Sequence, residues 1–157
     1  MRYRFAGCCG TVITHDEDSP GCACGLWTES RLPVNYRHAF HAGNFADVVK
    51  HVALALCFDR LNAKEAPYRY IDTHAGIGLY DFEGEEAGRS PEWKDGVGRI
   101  WEAERGAPES VRAALAPWLN VIRRLNSGGL QHYPGSPVLA AELMRENDAL
   151  RLCELHP

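Results

Sequence analysis

The sequence is poor in the features that mark membrane, secreted and nucleic-acid-binding proteins. Its longest apolar run, Val52–Phe58, is far shorter than the ~20 residues that a transmembrane helix needs, so no membrane partner is expected. No basic start followed by an apolar stretch marks a secretory signal peptide, and a cytoplasmic location is the expectation. Lys and Arg number 17 against 21 Asp and Glu, and the net charge of -4 does not support a nucleic-acid partner. The 157 residues, 45 % of them hydrophobic, suffice for one domain with a core.

Cysteine is scarce outside the first thirty residues. Four of the six cysteines lie in that stretch: Cys8, Cys9, Cys22 and Cys24. Zinc sites favour cysteine pairs two to four residues apart that recur at a set spacing, and these pairs fit poorly, so no metal is expected. Residues 1–33 also lack a period of 2 or 3.6, and we interpret them as an atypical leader, disordered or non-native. A chain that begins at Val34 should therefore have a Tm no lower than that of the whole chain.

The first regular element after the leader is predicted to be a helix. Asn44 is a favoured N-cap residue, and Asp47 in the first turn places a negative charge where it suits the helix dipole. Apolar residues then recur at near-helical spacing from Phe45 to Leu61. The pattern predicts a helix that ends near Leu61, before a turn over residues 62–67.

Two short strands follow, separated by a long polar segment. Tyr68–Asp72 and Ala149–Glu154 have the aromatic and β-branched or alternating composition of strands. Residues 81–135 are broken by glycine and proline, yet they contain two helical pieces, Val97–Glu104 and Pro108–Leu125. The segment is therefore predicted to be a small helical insertion between the two strands.

A further helix is predicted just before the second strand. Ser136 followed by Pro137 is typical of a helix start, with serine as N-cap and proline at the first helical position. The resulting order of helix, strand, glycine loop, insertion, helix and strand predicts an α/β fold with parallel strands. Because two strands do not complete such a sheet, the domain over residues 34–157 is expected to be truncated.

The glycine loop Asp72–Gly78 is the main candidate for a binding site. Glycines let the backbone approach a ligand closely, and a loop after a parallel strand lies at the sheet edge where α/β folds bind ligands. A dinucleotide loop would need a third glycine and a helix that opens onto the pyrophosphate. The acidic residues after Tyr80 would repel a pyrophosphate but are tolerable beside S-adenosylmethionine, which carries no phosphate and has a sulfonium cation. A dinucleotide and a purely structural glycine turn remain the alternatives.

Glu154 is the second candidate, since an acid at the end of the next strand can bind ribose hydroxyls. Its distance from the glycine loop exceeds the usual ~20 residues, so the insertion must loop out of the way. A solvated strand end is the alternative interpretation.

Four histidines suggest a metal site, but their spacing does not: His38, His41, His51 and His74. Helical metal sites often space histidines at i and i+4, and no pair here does so. Lys50 and His51 are instead candidates to donate hydrogen bonds to the methionine carboxylate of the ligand or to the substrate. A solvated helix face is the alternative.

Several segments together resemble one family. Residues 36–51, from Tyr36 through Gly43-Asn44 to Lys50-His51, are similar to the N-terminal motif of the bacterial 23S rRNA (adenine-N6)-methyltransferase family. Asp72–Tyr80 resembles its donor-binding loop, and Tyr133–Pro137 and Glu154–Pro157 resemble two later signatures in the same order. The resemblance covers about residues 34–157.

The resemblance implies a Rossmann-like class I methyltransferase fold that uses S-adenosylmethionine and acts on 23S rRNA. It implies donor contacts from the residues that match the family's positions: His51, His74, Ser136 and Glu154. Asp72 and Gly76 belong to the donor loop, Lys50 is a neighbour in the same site, and Tyr36 is implied on the substrate side.

One expected signature is missing from the sequence. The family carries an Asp-Pro-Pro-Tyr type motif that accepts hydrogen bonds from the adenine amino group, and no Asp-Pro-Pro occurs here. We therefore assign no catalytic residue and expect the 157-residue chain to transfer no tritiated methyl group to unmodified rRNA. A non-catalytic donor- or RNA-binding fragment and an NAD-dependent oxidoreductase are the alternatives.

Overall fold

The computed structural model describes residues 38–154. The expectations for the leader and for Tyr36 concern residues outside this range. The helices of the described part are α1 (Phe45–Asn62), α2 (Glu85–Arg89), α3 (Val97–Ala103), α4 (Glu109–Leu125) and α5 (Ser136–Leu143). Its strands are β1 (Arg69–Asp72), β2 (Leu79–Asp81), β3 (His132–Pro134) and β4 (Ala149–Leu152). Short 3₁₀ turns occupy His38–Phe40, Glu92–Lys94 and Glu104–Gly106.

Helix α1 confirms the predicted start and end. The Asn44 side chain accepts hydrogen bonds from the backbone N–H groups of Ala46 and Asp47, both at 3.0 Å. The face of α1 that packs inward is marked by its buried members: Asp47, Val48, His51, Ala55 and Phe58. Phe45 and Val49, which contributed to the apolar pattern, are 74 % and 66 % exposed. The period therefore located the helix but misidentified part of its buried face.

Strands β1 and β4 pair in parallel, from Arg69 opposite Ala149 to Asp72 opposite Leu152. This pairing confirms the predicted α/β class. It also brings the two strand ends together although some eighty residues separate them, because the helices between them lie outside the ladder.

A second, antiparallel ladder between β2 and β3 was not predicted. It places Leu79 opposite Pro134, Tyr80 opposite Tyr133 and Asp81 opposite His132. Each strand has only three residues, too few for a recognisable alternation. The segment that was predicted as a helical insertion does contain helices α2, α3 and α4, but the β3 strand also lies within it.

The prediction that Ser136 caps a helix is wrong. Helix α5 begins at Ser136 itself, and the N-cap residue is Gly135 in an extended conformation. The Ser136 hydroxyl donates to Asp72 Oδ2 at 2.5 Å instead. A tertiary hydrogen bond has therefore taken the hydroxyl that a capping residue would use locally.

The core lies between α1, α4 and the β2–β3 ladder. Its largest fully buried side chains include Trp118, Tyr133 and Phe58. Strand β3 is fixed to the end of α4 by the buried side chain of Asn126, which donates to the carbonyls of Ile122 and His132, both at 2.8 Å. The amide oxygen of Asn126 accepts from the backbone N–H of His132 at 2.7 Å. These bonds fix the position from which Tyr133 enters the core.

The starts of β1 and β4 are joined by Asp148. Its carboxylate accepts from the backbone N–H of Tyr68 at 2.9 Å and from Arg145, whose backbone N–H lies 3.0 Å away and whose guanidinium lies 2.9 Å away. The Arg145 hydrogen bond is the main cause that lowers the pKa of Asp148 to about 2, against the opposing effect of burial. The side chain of Asp148 is fully buried.

We expect Asp148→Ala to lower the free energy of unfolding by ~1–3 kcal/mol at neutral pH, because it leaves the partly buried N–H of Tyr68 and the Arg145 guanidinium without this acceptor. Urea unfolding followed by circular dichroism measures the change. Asp59→Ala, at an exposed position of α1, is the control and should change stability by less than ~0.5 kcal/mol. Equal losses in the two variants would contradict the proposed role of Asp148.

Candidate functional site

The carboxyl end of β1 presents Asp72 as a fixed hydrogen-bond acceptor. Its Oδ2 accepts from the Ser136 hydroxyl at 2.5 Å and from the Tyr70 hydroxyl at 3.1 Å, and its Oδ1 accepts from the backbone N–H of His74 at 3.1 Å. Burial and the charge of Asp72 raise the pKa of Tyr70, so its hydroxyl keeps its proton. Three donors, two of them within two residues of Asp72 and one from the start of α5, thus orient one carboxylate.

The loop after β1 depends on glycine in two positions. Gly76 and Gly78 have φ values of +64° and +85°, in the left-handed region that residues other than glycine rarely adopt. A Cβ atom on Gly76 would also lie 2.7 Å from the Tyr80 hydroxyl. The carbonyl of Gly78 accepts from the backbone N–H of Gly135 at 2.7 Å, which ties the loop to the start of α5.

Glu154 lies directly beside this loop. Its Oε2 accepts from the backbone N–H of Gly76 at 2.7 Å. The backbones join as well: Cys153 N–H donates to the Asp72 carbonyl at 2.7 Å, and Ala75 N–H donates to the Cys153 carbonyl at 3.1 Å. The parallel pairing of β1 and β4 therefore places both candidate acids at one sheet edge, as the sequence predicted.

A buried carboxylate, Asp47, lies in the first turn of α1. It is 1 % exposed and bonds His38 Nε2 at 2.8 Å and Lys50 Nζ at 2.7 Å. Burial raises its pKa, but the bonds to His38 and Lys50 outweigh burial and lower the pKa to about 2. Asp47 was not predicted as a site residue, although it lies in the first helical turn and within the motif of residues 36–51.

His51 is buried one turn further along the same face of α1 as Asp47. It is 6 % exposed, and its Nδ1 lies 2.8 Å from the hydroxyl of Tyr133, which is fully buried. Burial is the main cause that lowers its pKa to about 4, against the attraction of Asp47. The imidazole is therefore neutral at neutral pH.

The β2–β3 ladder connects the histidine to the glycine loop. Tyr133 pairs with Tyr80, whose hydroxyl lies where a Gly76 side chain would project. The His38 ring packs edge-on against Tyr80 at 5.3 Å between centroids. Tyr133 and Tyr80 thus link His51 to the loop that follows Asp72.

The predicted residues differ in their placement. Six of them lie in this connected region: Lys50, His51, Asp72, Gly76, Ser136 and Glu154. His74 is exposed, and its ring bonds the neighbouring Thr73 hydroxyl at 2.9 Å. Three tyrosines of the region were not predicted as site residues: Tyr70, Tyr80 and Tyr133. Two of them had a signal, since Tyr133 opens the Tyr-Pro-Gly-Ser-Pro signature and Tyr80 ends the segment that resembles the donor-binding loop.

The arrangement favours a ligand that offers hydroxyl or ammonium donors over one that carries phosphates. The glycine loop leads into β2. The segment that follows the loop therefore does not present a helix N-terminus to a phosphate, as a dinucleotide-binding loop does. Two carboxylates, Asp72 and Glu154, flank the loop instead. Acceptors of this kind bind ribose hydroxyls and amines and repel a pyrophosphate.

Two further observations concern the described part of the chain. None of its helices is both long and apolar enough to cross a bilayer. No group of three or more His, Cys, Asp or Glu side chains between residues 38 and 154 is arranged to hold a metal ion.

Comparison with known proteins places these features in a family. A family model described as "Ribosomal RNA large subunit methyltransferase D, RlmJ" matches residues 65–157. Two curated proteins, both named Ribosomal RNA large subunit methyltransferase J, are similar. The protein of Escherichia coli (strain K12) is 46 % identical over 125 residues, which cover 79 % of this chain and 43 % of that protein. The protein of Haemophilus influenzae is 44 % identical over 126 residues, with the same shares.

A solved structure is similar as well. The crystal structure of protein LPL1258 from Legionella pneumophila matches with a TM-score of 0.67 at 38 % sequence identity, covering 74 % of this chain and 41 % of that chain. The present chain thus spans less than half the length of each of these relatives.

Proposed function

We propose that this chain, which belongs to the RlmJ family of large-subunit ribosomal RNA methyltransferases, binds S-adenosylmethionine at the carboxyl edge of β1 and β4. The whole enzyme would transfer the methyl group to N6 of an adenine in 23S rRNA, in the cytoplasm. The α/β arrangement would correspond to part of a Rossmann-like class I methyltransferase fold.

The observation that supports this most is the hydrogen bond between Glu154 and the Gly76 N–H, 2.7 Å long. It places an acid of the second strand against the glycine loop of the first, at the edge where α/β folds bind ligands. The donor fits the residues that are present, because its ribose hydroxyls and its ammonium group need acceptors and it has no phosphate. The family's named activity, transfer of a methyl group to ribosomal RNA, requires a donor of this kind.

Each predicted residue has a role in this proposal. Glu154 and Asp72 would accept hydrogen bonds from the donor's hydroxyl and ammonium groups, and Gly76 would leave room for it. The polar side chains around them would make further contacts with the donor: Lys50, His51, His74 and Ser136. Tyr36 would contact the RNA. When bound, the donor supplies a methyl group on a sulfonium, while these residues hold it in place.

Calorimetric titration of the chain with S-adenosylhomocysteine and, separately, with NADH tests the proposal. We expect the first to bind and the second not to bind. Glu154→Gln should weaken binding of S-adenosylhomocysteine about tenfold or more, because hydrogen bonds to a charged group contribute ~1.5–3 kcal/mol. Glu142→Gln, at a half-buried position of α5, is the matched control and should leave the affinity unchanged. Binding of NADH alone would favour the oxidoreductase.

The rRNA half of the proposal is tested with a chimera. This chain would be extended by the part of the Escherichia coli relative that lies beyond the matched 43 %. The chimera should transfer tritiated methyl groups to adenine N6 of unmodified 23S rRNA, and its Glu154→Gln variant should be severely impaired. Label in cytosine or guanine, or label in both forms equally, would contradict the proposal.

A further inference from the structure

The hydrogen bond between Tyr133 and His51 has a defined direction. Nδ1 of His51 is the only acceptor within hydrogen-bond distance of the Tyr133 hydroxyl among residues 38–154. Burial raises the pKa of Tyr133 well above its usual value, and the charge of Asp47 raises it further. The hydroxyl therefore keeps its proton, and a proton in a fully buried site needs an acceptor.

The indole of Trp118 is no alternative acceptor for the Tyr133 hydroxyl. Its indole N–H is fully buried and has no partner within hydrogen-bond limits in the described part of the chain. It lies near the Tyr133 oxygen, where it opposes the rise in the pKa of Tyr133 that burial causes. Since an indole N–H can only donate, Trp118 offers the Tyr133 proton no acceptor. The tyrosine proton is thereby directed to His51.

The other ring nitrogen of His51 borders solvent. Nε2 has no hydrogen-bond partner among the described residues, and it is not one of the fully buried polar atoms that lack a partner. The 6 % of His51 that is exposed therefore includes this nitrogen. A neutral imidazole that accepts at Nδ1 must carry its proton at Nε2.

We propose that Tyr133 is a positioning residue that holds His51 as the neutral tautomer protonated on Nε2, so that this nitrogen donates a hydrogen bond to an anionic group of the bound ligand. The ligand half of this inference rests on the proposed function, in which the methionine carboxylate is such a group. The tautomer itself is a property of the chain alone.

The charges around His51 do not override this arrangement. Asp47 and Asp72 favour the protonated ring, while Lys50, His38 and burial oppose it, with burial the largest effect. Both carboxylates already accept other hydrogen bonds, Asp47 from Lys50 and His38 and Asp72 from Ser136 and Tyr70. The Tyr133 bond is thus the specific contact that selects one nitrogen of His51.

The tautomer is measured directly by two-bond ¹H–¹⁵N correlation spectra of the full chain labelled with ¹⁵N-histidine, without ligand. At pH 7 we expect the pattern of a neutral ring with the proton on Nε2. Tyr133→Phe keeps the buried ring but removes the hydroxyl. In this variant the fraction of His51 with the proton on Nδ1 should rise, and His51 should titrate at a higher pH. Tyr68→Phe, which removes a hydroxyl that bonds Asn62 instead, should leave the His51 signals as they are.

The ligand half is measured by calorimetry with S-adenosylhomocysteine. Tyr133→Phe should lower its affinity about tenfold, and Tyr68→Phe should not change it. A proton on Nδ1 in the wild-type chain would overturn the inference even if Tyr133→Phe fails to fold. Changed signals with unchanged affinity would overturn only the ligand contact, and absence of binding in the wild-type chain would refute the proposed function and leave the tautomer result standing.

Discussion

Replacing Gly76 by valine is expected to lower the affinity for S-adenosylhomocysteine at least tenfold. The backbone φ of +64° at this position is costly for any residue with a Cβ and most costly for a β-branched one. The added Cβ would also lie 2.7 Å from the Tyr80 hydroxyl. Strain of ~1–3 kcal/mol at such a position shifts the loop away from the conformation in which its N–H bonds Glu154.

The control for this change is Gly106→Val. No atom lies within 4 Å of the position where a Cβ on Gly106 would project, and its φ is not in the left-handed region. Affinity for S-adenosylhomocysteine, measured by calorimetry, should therefore equal that of the unaltered chain. If Gly76→Val also binds with unchanged affinity, the loop does not contact the donor.

A double variant distinguishes a collision between the new valine side chain and the Tyr80 hydroxyl from a collision between that side chain and the bound ligand. Gly76→Val with Tyr80→Phe removes the hydroxyl that the new Cβ meets; the next nearest atom, Tyr80 Cζ, is 4.0 Å away. If collision with Tyr80 causes the loss, the double variant should recover most of the affinity. If the donor itself fills the space above Gly76, or if the strained φ distorts the loop, affinity should stay low.

The parts of the fold that sequence predicted were those with long or repeated local signals. Eighteen residues of regular spacing and a good N-cap were enough to locate α1. The period could not show that Phe45 and Val49 are exposed, because a stripe of apolar residues does not say where neighbouring elements lie. Strands β2 and β3 carry three residues each, and their identity depends on the pairing of Tyr80 with Tyr133.

The candidate site shows the same division. Asp72 and Glu154 were assigned to one site because the carboxyl ends of parallel strands lie at one edge of the sheet. In the fold Glu154 bonds the Gly76 N–H, and the backbone of Asp72 bonds that of Cys153. The contact between His51 and Tyr133 joins residues 82 positions apart, with no motif that links them. Ser136 was assigned to a cap because local preference favoured it, but the tertiary acceptor Asp72 competes for its hydroxyl.

Lowering the pH from 7 to 4 is expected to reduce the free energy of unfolding by on the order of 3 kcal/mol. The pKa of His51 falls from 6.5 to about 4 on folding, chiefly because burial disfavours the charged ring. Between pH 6.5 and pH 4, the imidazole of His51 is therefore protonated in the unfolded chain and neutral in the folded chain. Stability is complete above pH 6.5 and is lost as the pH falls towards 4, at ~1.4 kcal/mol for each pH unit.

The carboxylates extend this loss to lower pH. The pKa values of Asp47 and Asp148 fall from 3.8 to about 2, so the stability that their bonds contribute is present above pH 3.8 and disappears towards pH 2. The free energy of unfolding should therefore fall in two pH ranges. Protonation of His51 causes the first loss, and protonation of Asp47 and Asp148 causes the second. Urea unfolding at half-unit steps of pH distinguishes the ranges.

The histidine range is assigned with two variants. His51→Gln should be less stable than the unaltered chain at pH 7, because it loses the packing against Tyr133, but its stability should change much less between pH 6.5 and 4. His74→Gln removes a histidine that is exposed and should keep the full slope in that range. The comparison rests on slopes and not on absolute stabilities, so the loss of packing in His51→Gln does not affect it. A His51→Gln chain that keeps the slope of the unaltered one would show that the acid sensitivity comes from another group, and that burial does not lower the pKa of His51.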